Sequence, residues 1–122
     1  MTTMTDREML ELAAKAAGIW VGNDDFTDPI DRKYVDSMGL WVHVGNLEDM
    51  GKWWNPKNND GDALRLAAKL HIGVEFWPDV VRAWSGDSDQ IFDEQALDHN
   101  GNHASAVRSA IVRAATDMGK LK

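Results

Sequence analysis

The fold is decided by one stretch, Lys52 to Leu70, which reads KWWNPKNNDGDALRLAAKL. Two adjacent tryptophans lead into Asn-Pro, and a cluster of Asn, Asp and Gly follows. Proline disfavours helical backbone at the residue before it, and Asn and Asp are preferred in turns and at helix N-caps. Apolar residues then recur at the spacing of a helix with one buried face: Ala63, Leu66, Ala67 and Leu70. The stretch therefore predicts a loop that opens a helix over about 60–71, with Gly73 ending it.

Two more helices are predicted, one on each side of this stretch. Thr5 begins a capping box and Gly18 suits a helix end, so we expect a helix over 5–17. The segment 103–118 has helical periodicity and is followed by Gly119, which we expect to close the helix. Its apolar positions are Val107, Ile111, Ala114 and Met118.

Strand patterns occupy the remaining ordered segments. Residues 40–44 alternate between two faces, and 74–84 has the pattern of a hairpin that turns at Pro78 and Asp79. Residues 85–98 carry five acidic side chains and no basic one, which is typical of a solvated loop or of an acidic face for a basic partner. We predict a single domain over 1–122 of the α+β class. Its small, mainly antiparallel sheet of three to four strands (40–44, 74–77 and 80–84) is flanked by three helices in an alpha-beta-alpha sandwich.

The charge and composition exclude several classes of protein. Thirteen basic and twenty acidic side chains give a net charge of −7, which disfavours generic binding to nucleic acid. The sequence has no cysteine, so it can form neither a disulfide nor a thiolate metal site. No apolar run reaches the roughly 20 residues of a membrane span, and the first residues lack the pattern of a signal peptide. We therefore expect a cytoplasmic protein that does not enter a membrane.

The tryptophan content indicates a candidate binding surface. The chain has six tryptophans, and two adjacent ones on extended backbone must point to opposite faces. One is expected in the core and the other at a pocket or an oligomer interface. If the faces of the strands at 40–44 and 74–77 coincide, they form an aromatic surface on which two arginines could hold an anion. The predicted ligand-binding residues are Trp41, His43, Trp53, Trp54, Asn55, Arg65, Trp77 and Arg82. The alternative is that the tryptophans are core and KWWNPKNNDGD is only a helix entrance.

The sequence contains no complete catalytic or metal-binding motif. The sequence has no glycine-rich phosphate loop, and the two Asn/Asp/Gly clusters fail the ligand pattern of a calcium loop. His99 and His103 are four residues apart, but no second cluster accompanies them to complete a zinc site. The serines, Ser105 among them, lie in no recognisable nucleophile motif. We predict a non-enzymatic protein with no catalytic residue, no metal and no cofactor.

Three segments resemble a known family. They are TDREMLELAAKAAGI, WNPKNNDGDALRLAAKLHIGVE and AVRSAIVRAATDMGK, and together they cover about half of the chain. Such segments resemble those of small phage and prophage proteins with the phage ABA-sandwich domain. Residues 23–50 and 85–100 lie outside the resemblance. The resemblance implies a sheet layered between helices and a viral source. It implies no known reaction, because the members are mostly of unknown function.

Three functions follow from this resemblance and from the tryptophan surface. The first is a phage-encoded accessory protein, as a monomer or homo-oligomer, that sequesters a small nucleotide-like signal of host immunity and so acts in anti-defence. The second is an acidic inhibitor or regulator that binds a host protein, with mimicry of nucleic acid as one way in which it could do so. The third is an accessory protein of phage development, acting in the host cytoplasm.

Overall fold

The computed structural model describes residues 4–21, 34–35, 38–43, 52–85 and 90–120. Three helices and seven strands lie in these ranges, and a short 3-10 helix precedes the last helix. In chain order the elements are α1 (Asp6–Ala17), β1 (Trp20–Val21), β2 (Tyr34–Val35), β3 (Gly39–His43), β4 (Lys52–Trp54), α2 (Asp60–Leu70), β5 (Ile72–Phe76), β6 (Val80–Ser85), β7 (Ile91–Gln95), the 3-10 helix (Ala96–His99) and α3 (His103–Lys120). The predicted α+β class is confirmed.

The strands form two antiparallel sheets. In the first sheet, β3 pairs with β1, β2 and β4. In the second, β6 lies between β5 and β7. The predicted hairpin is present, and it turns where expected because Trp77 N–H donates to Val80 O at 2.8 Å. One detail is corrected: β3, which corresponds to the strand predicted at 40–44, lies in a different sheet from this hairpin. Val44 itself lies outside the described residues. Alternation identifies a strand, but it does not identify the strand's neighbours.

The helix ends are set by local capping. At α1, Thr5 and Glu8 form the expected capping box, and Gly18 adopts the left-handed conformation with φ 73°. At α2, the Asn59 side chain accepts from the N–H of Asp62. The predicted end of α2 is corrected, because His71 takes the left-handed C-cap position with φ 56°.

Gly73 lies in β5, opposite Trp84 of β6. A Cβ there would lie 2.6 Å from the indole of Trp84. This glycine therefore makes room for a ring and does not stop a helix.

Helix α3 is the centre of the fold, since it packs against α1, α2 and all three strands of the second sheet. Its predicted apolar stripe is confirmed: Ile111 and Ala114 are buried, and Val107 and Met118 are partly buried against the core. The core also contains many small residues that the sequence reading did not single out. They include Ala14, Ala17, Ala106, Ala110 and Ala115.

Gly119 shows how closely α1 and α3 approach. It lies inside α3, so the prediction that it closes the helix is corrected. A Cβ at this position would lie 2.0 Å from the carbonyl oxygen of Leu12. Nearby, Thr116 Oγ1 donates to Met9 O at 3.0 Å. The two helices are therefore packed backbone to backbone at this end.

Among the described helices, none is both long enough and apolar enough to cross a bilayer.

Candidate functional site

The two adjacent tryptophans separate as expected. Trp54 is 3% exposed and belongs to the core, whereas Trp53 is half-buried. In the register of the first sheet, Trp54 lies opposite Leu40 and Trp53 lies opposite Trp41. Because neighbouring residues of a strand point to opposite faces, Trp53 is turned away from the core that holds Trp54. Trp54 is therefore a core residue, and Trp53 is the member of the pair that a partner could reach.

Asn55 belongs to the joint between β4 and α2. It is buried, as is Pro56. The Asn55 N–H donates to Asp62 Oδ2 at 2.9 Å, and Asn55 Oδ1 accepts from the N–H of Lys57 at 3.2 Å. The other oxygen of Asp62 accepts from Arg65 at 2.8 Å. Asn55 and Asp62 therefore hold the chain in its turn into the helix, in agreement with the simpler interpretation of this stretch.

The segment that joins β4 to α2 also forms hydrogen bonds with the two other helices, α1 and α3. Arg108 of α3 donates through Nε to the Lys57 carbonyl at 2.8 Å and through Nη1 to Asp60. Lys57 Nζ donates to Asp6 of α1 at 2.8 Å. Asn55, Lys57 and Asp62 thus serve the packing of α2 against its neighbours.

The predicted aromatic surface is not assembled as expected. Trp77 follows β5 in the second sheet, and its Nε1 donates to Glu75 Oε1 at 3.0 Å. The backbones of Trp41 and His43 lie in β3 of the first sheet, and their side chains fall outside the described part of the structure. Since β3 and β5 belong to separate sheets, their faces are not one continuous side of a sheet, so the condition for the aromatic surface is not met.

The two arginines of the predicted anion clamp each pair with a carboxylate. Arg65 contacts Asp62 within α2, and Arg82 donates to both oxygens of Asp93 at 2.8 and 3.2 Å. The hydrogen bond from Arg82 lowers the pKa of Asp93, and the same bond raises the pKa of Arg82. Each arginine therefore pairs with an acid of the protein itself: Arg65 with Asp62 of α2, and Arg82 with Asp93 of β7.

The expectation that residues 85–98 form a solvated loop is also corrected, because β7 and the start of the 3-10 helix lie in this segment. Residues 91–95 form β7 and the 3-10 helix begins at Ala96. Glu94 points toward α3, where its Oε2 accepts from Arg113 Nη1 at 2.6 Å and its Oε1 contacts His99 Nε2 at 2.9 Å. Burial would raise the pKa of Glu94, but the hydrogen bonds from His99 and Arg113 outweigh it, and the pKa is lowered. Residues 86–89 lie outside the described part of the chain.

His99 connects this acid to a serine. Its Nδ1 lies 2.8 Å from Ser105 Oγ in the first turn of α3, so Glu94, His99 and Ser105 form one chain of hydrogen bonds. His103 lies apart from this chain, with its Nε2 2.9 Å from the carbonyl oxygen of Trp77. In the described ranges, no group of three or more His, Asp or Glu side chains is arranged to hold a metal ion.

An apolar groove of about 660 Å³ lies between α2, β5 and α3. Two large apolar side chains of its lining are mostly exposed: Leu64 at 69% and Phe76 at 60%. The polar residues of its lining are Asp60, His71 and Arg108. The complete lining is Asp60, Ala63, Leu64, Ala67, Ala68, His71, Ile72, Val74, Phe76, Ala104, Val107, Arg108 and Ile111.

Sequence reasoning missed this groove because three separate elements build it. One signal was present, however. Leu64 lies beside the core-facing stripe of α2, at a position where helical periodicity places a polar residue. A large apolar residue there indicates either chance exposure or a binding face, and the exposed Phe76 across the groove favours the second reading.

No protein-family model matches the chain, and neither curated proteins nor solved structures show significant similarity to it. The comparisons thus do not test the resemblance to phage ABA-sandwich proteins, which stays a prediction.

Proposed function

We propose that this protein binds a small ligand, which occupies the groove between α2, β5 and α3 and undergoes no reaction there. The observation that carries the proposal is the exposure of Leu64 and Phe76 on a concave, otherwise apolar surface. Exposing such side chains costs free energy, and contiguous apolar concavities are where small ligands bind most often. The volume of about 660 Å³ lies inside the roughly 300–1,000 Å³ range of small-molecule sites.

The lining defines the class of ligand. The lining includes the short side chains of Ala63, Ala67 and Ala68 and the exposed ring of Phe76. A ligand with a flat or aliphatic body would bury this surface, and a polar group on it would reach His71 or Asp60. Arg108 already donates to Lys57 and Asp60, so it supports the wall and contributes less to an anion site.

The nucleotide-like immune signal is a narrower form of this proposal. A base has the flat body that the groove favours, and it would stack against Phe76. The predicted phosphate contacts are less well supported, because Arg65 and Arg82 are engaged with Asp62 and Asp93. The phage source and the anti-defence role rest on the sequence resemblance. They are tested by asking whether the chain protects a phage from a nucleotide-signalling defence when both are expressed in one host.

The alternative of an acidic inhibitor of a host protein has less support. Asp93 and Glu94, the two acids of β7, pair with Arg82 and Arg113 of the same chain. A nucleic-acid mimic presents its carboxylates to a basic partner, so acids that are already paired in this way weaken that interpretation.

The groove is tested by filling it. Ala68 is exposed, lines the groove and lies on α2, so Ala68→Phe places a ring in the binding space without removing a core contact. Lys69→Phe is the matched control, because it adds the same ring at the next exposed position of α2, outside the groove. The probe is 8-anilinonaphthalene-1-sulfonate, whose fluorescence rises when it enters an apolar site.

We expect the wild type and Lys69→Phe to enhance the fluorescence of the probe, and Ala68→Phe to lose most of the enhancement at an unchanged melting temperature. Native mass spectrometry of the protein purified from cells then identifies a retained small molecule, which Ala68→Phe should release. Equal enhancement by all three proteins would place the apolar binding elsewhere and reject the groove as the site.

A further inference from the structure

The Glu94–His99–Ser105 chain lies away from the groove and has a chemistry of its own. Ala104, Val107 and Ile111 of α3 line the groove, whereas Ser105 faces the 3-10 helix and β7. A hydroxyl within hydrogen-bond reach of an imidazole, which a third group orients, is the signature of an activated nucleophile. We infer that Ser105 is a nucleophile for acyl transfer, with His99 as its general base and Glu94 as the positioning residue.

The hydrogen-bond partners determine which nitrogen of His99 is the base. An ionised carboxylate only accepts hydrogen bonds, so Nε2, at 2.9 Å from Glu94 Oε1, must carry the ring proton in the neutral imidazole. Nδ1 then carries a lone pair, and Ser105 Oγ–H donates to it across 2.8 Å. This tautomer presents a base to the serine.

Arg113 fixes the state of Glu94 on which this tautomer depends. It donates to Glu94 Oε2 at 2.6 Å and to the carbonyl of Asp93 at 2.9 Å. Its guanidinium also lies 5.3 Å from the ring centre of Phe92, which limits its freedom. One oxygen of the Glu94 carboxylate thus accepts from Arg113, and the other accepts from His99. The side chains of Glu94 and His99 are 15% and 17% exposed, so water competes little for this arrangement.

Ser105 also lies where a negative oxygen is favoured. It is the third residue of α3, and Asn102 caps the helix by accepting the Ser105 N–H at 3.0 Å. The first-turn amides at a helix N-terminus point outward and carry the positive end of the helix dipole. This positive end favours negative charge on Ser105 Oγ as it attacks. The amides of Ser105 and Ala106 themselves donate to Asn102.

The reaction would proceed in two balanced halves. Ser105 Oγ attacks the carbonyl carbon of a small ester while its proton passes to His99 Nδ1. The bond from carbon to the leaving oxygen breaks, and that proton leaves with the alcohol, so that Ser105 carries the acyl group. Water then gives a proton to Nδ1, attacks the acyl carbon and displaces Ser105, which recovers the proton. The products are a carboxylic acid and an alcohol.

The probe for this inference is p-nitrophenyl acetate. We expect mass spectrometry to find acetylated Ser105, and p-nitrophenolate release above the buffer rate. Ser105→Ala should remove both signals. Ser109→Ala is the matched control, because it removes a hydroxyl from the next turn of the same helix, and it should retain both.

Two further variants separate catalysis from simple structural bonding. His99→Gln should slow acetylation by about 100-fold, the lower end of the usual contribution of a general base. In Glu94→Gln, the new amide oxygen accepts from Arg113 and the amide NH₂ group faces Nε2 of His99. The ring proton is then forced onto Nδ1, so the base is lost while every hydrogen bond is kept. Glu94→Gln should therefore slow acetylation in a protein that stays folded, with only the modest loss of stability expected when Arg113 faces an uncharged partner.

The inference is overturned if folded wild type leaves Ser105 unmodified, or if it modifies Ser109 equally. It is also overturned if Glu94→Gln reacts at the wild-type rate, since the bonds would then be structural only. Dye binding in the groove is independent of these results, because Ser105 is not part of the groove lining.

Discussion

Replacing Asp62 by alanine should destabilise this protein far more than any other acid-to-alanine change in the first turn of α2. Asp62 is 6% exposed and accepts from two donors, the buried Asn55 N–H at 2.9 Å and Arg65 at 2.8 Å. Its loss leaves the Asn55 N–H buried without that acceptor, which costs about 1–3 kcal/mol. The ion pair with Arg65, whose own side chain is exposed, adds about 0–1 kcal/mol. The lost charge at the helix N-terminus adds about 0.3–1 kcal/mol.

These contributions sum to about 3 kcal/mol for Asp62→Ala. For a domain of this size, that corresponds to a fall of roughly 12 °C in the melting temperature. Asp62→Asn separates the contributions, because its amide oxygen can still accept from Asn55 while the charge is gone. We expect it to lose only about 1 kcal/mol, or roughly 4 °C.

The assay is urea denaturation followed by circular dichroism, with a thermal melt of each variant. Asp60→Ala is the matched control: its side chain is 72% exposed and pairs with Arg108, so its loss should stay under about 1 kcal/mol. Equal losses for Asp60→Ala and Asp62→Ala would refute the reasoning that the buried acceptor, rather than the helix dipole, stabilises this joint.

Three further predictions follow from the core and from the β7 carboxylates. Leu66→Asp should destabilise by several kcal/mol in urea denaturation, because it buries an unpaired charge at a position that is 2% exposed. Trp54→Ala should cost about 3–5 kcal/mol and Trp53→Ala clearly less, and similar melting temperatures for the two would contradict their placement. Glu94 has a lowered pKa when folded, so its contribution is present above the unfolded value near 4.5 and is lost as the pH falls below it. In urea midpoints measured from about pH 6 to pH 3, Glu94→Gln should therefore lose less stability than the wild type, and parallel curves would contradict this.

The features that the sequence predicted well are those that neighbouring residues determine. Thr5, Gly18 and Asn59 cap helices through bonds that reach only three or four positions along the chain. The stripes of α2 and α3 were predicted for the same reason, since periodicity is a local property. The class of the fold followed from these elements.

The features that were missed depend on partners that periodicity does not identify. β4 has only three residues, and its pairing with β3 is not encoded in the letters KWW. The acidic composition of β7 is typical of a solvated loop, but Asp93 and Glu94 pair with arginines on β6 and α3. His99 and Ser105 meet across the turn from the 3-10 helix into α3, a geometry that neither helical nor strand spacing describes.

The binding site was predicted incompletely for a related reason. Trp53 and Trp54 were correctly expected to face opposite ways, because alternation along a strand is local. Whether Trp77 lies on the same surface as Trp53 or Trp54 depends on the sheet to which β5 belongs. Long-range strand pairing determines that sheet. The ligand-binding role of Trp53 and Trp41 stays a prediction.

The close contact between α1 and α3 has a consequence for how the chain folds during synthesis. Met9 and Thr116, which are joined by a hydrogen bond, are 107 positions apart. Until the ribosome has released α3, α1 lacks its main packing partner, and the second sheet lacks its covering helix. Contacts of such long range are slow to form because a large loop must close first. The nascent chain should therefore stay sensitive to protease until synthesis reaches α3, and then become resistant in a single late step.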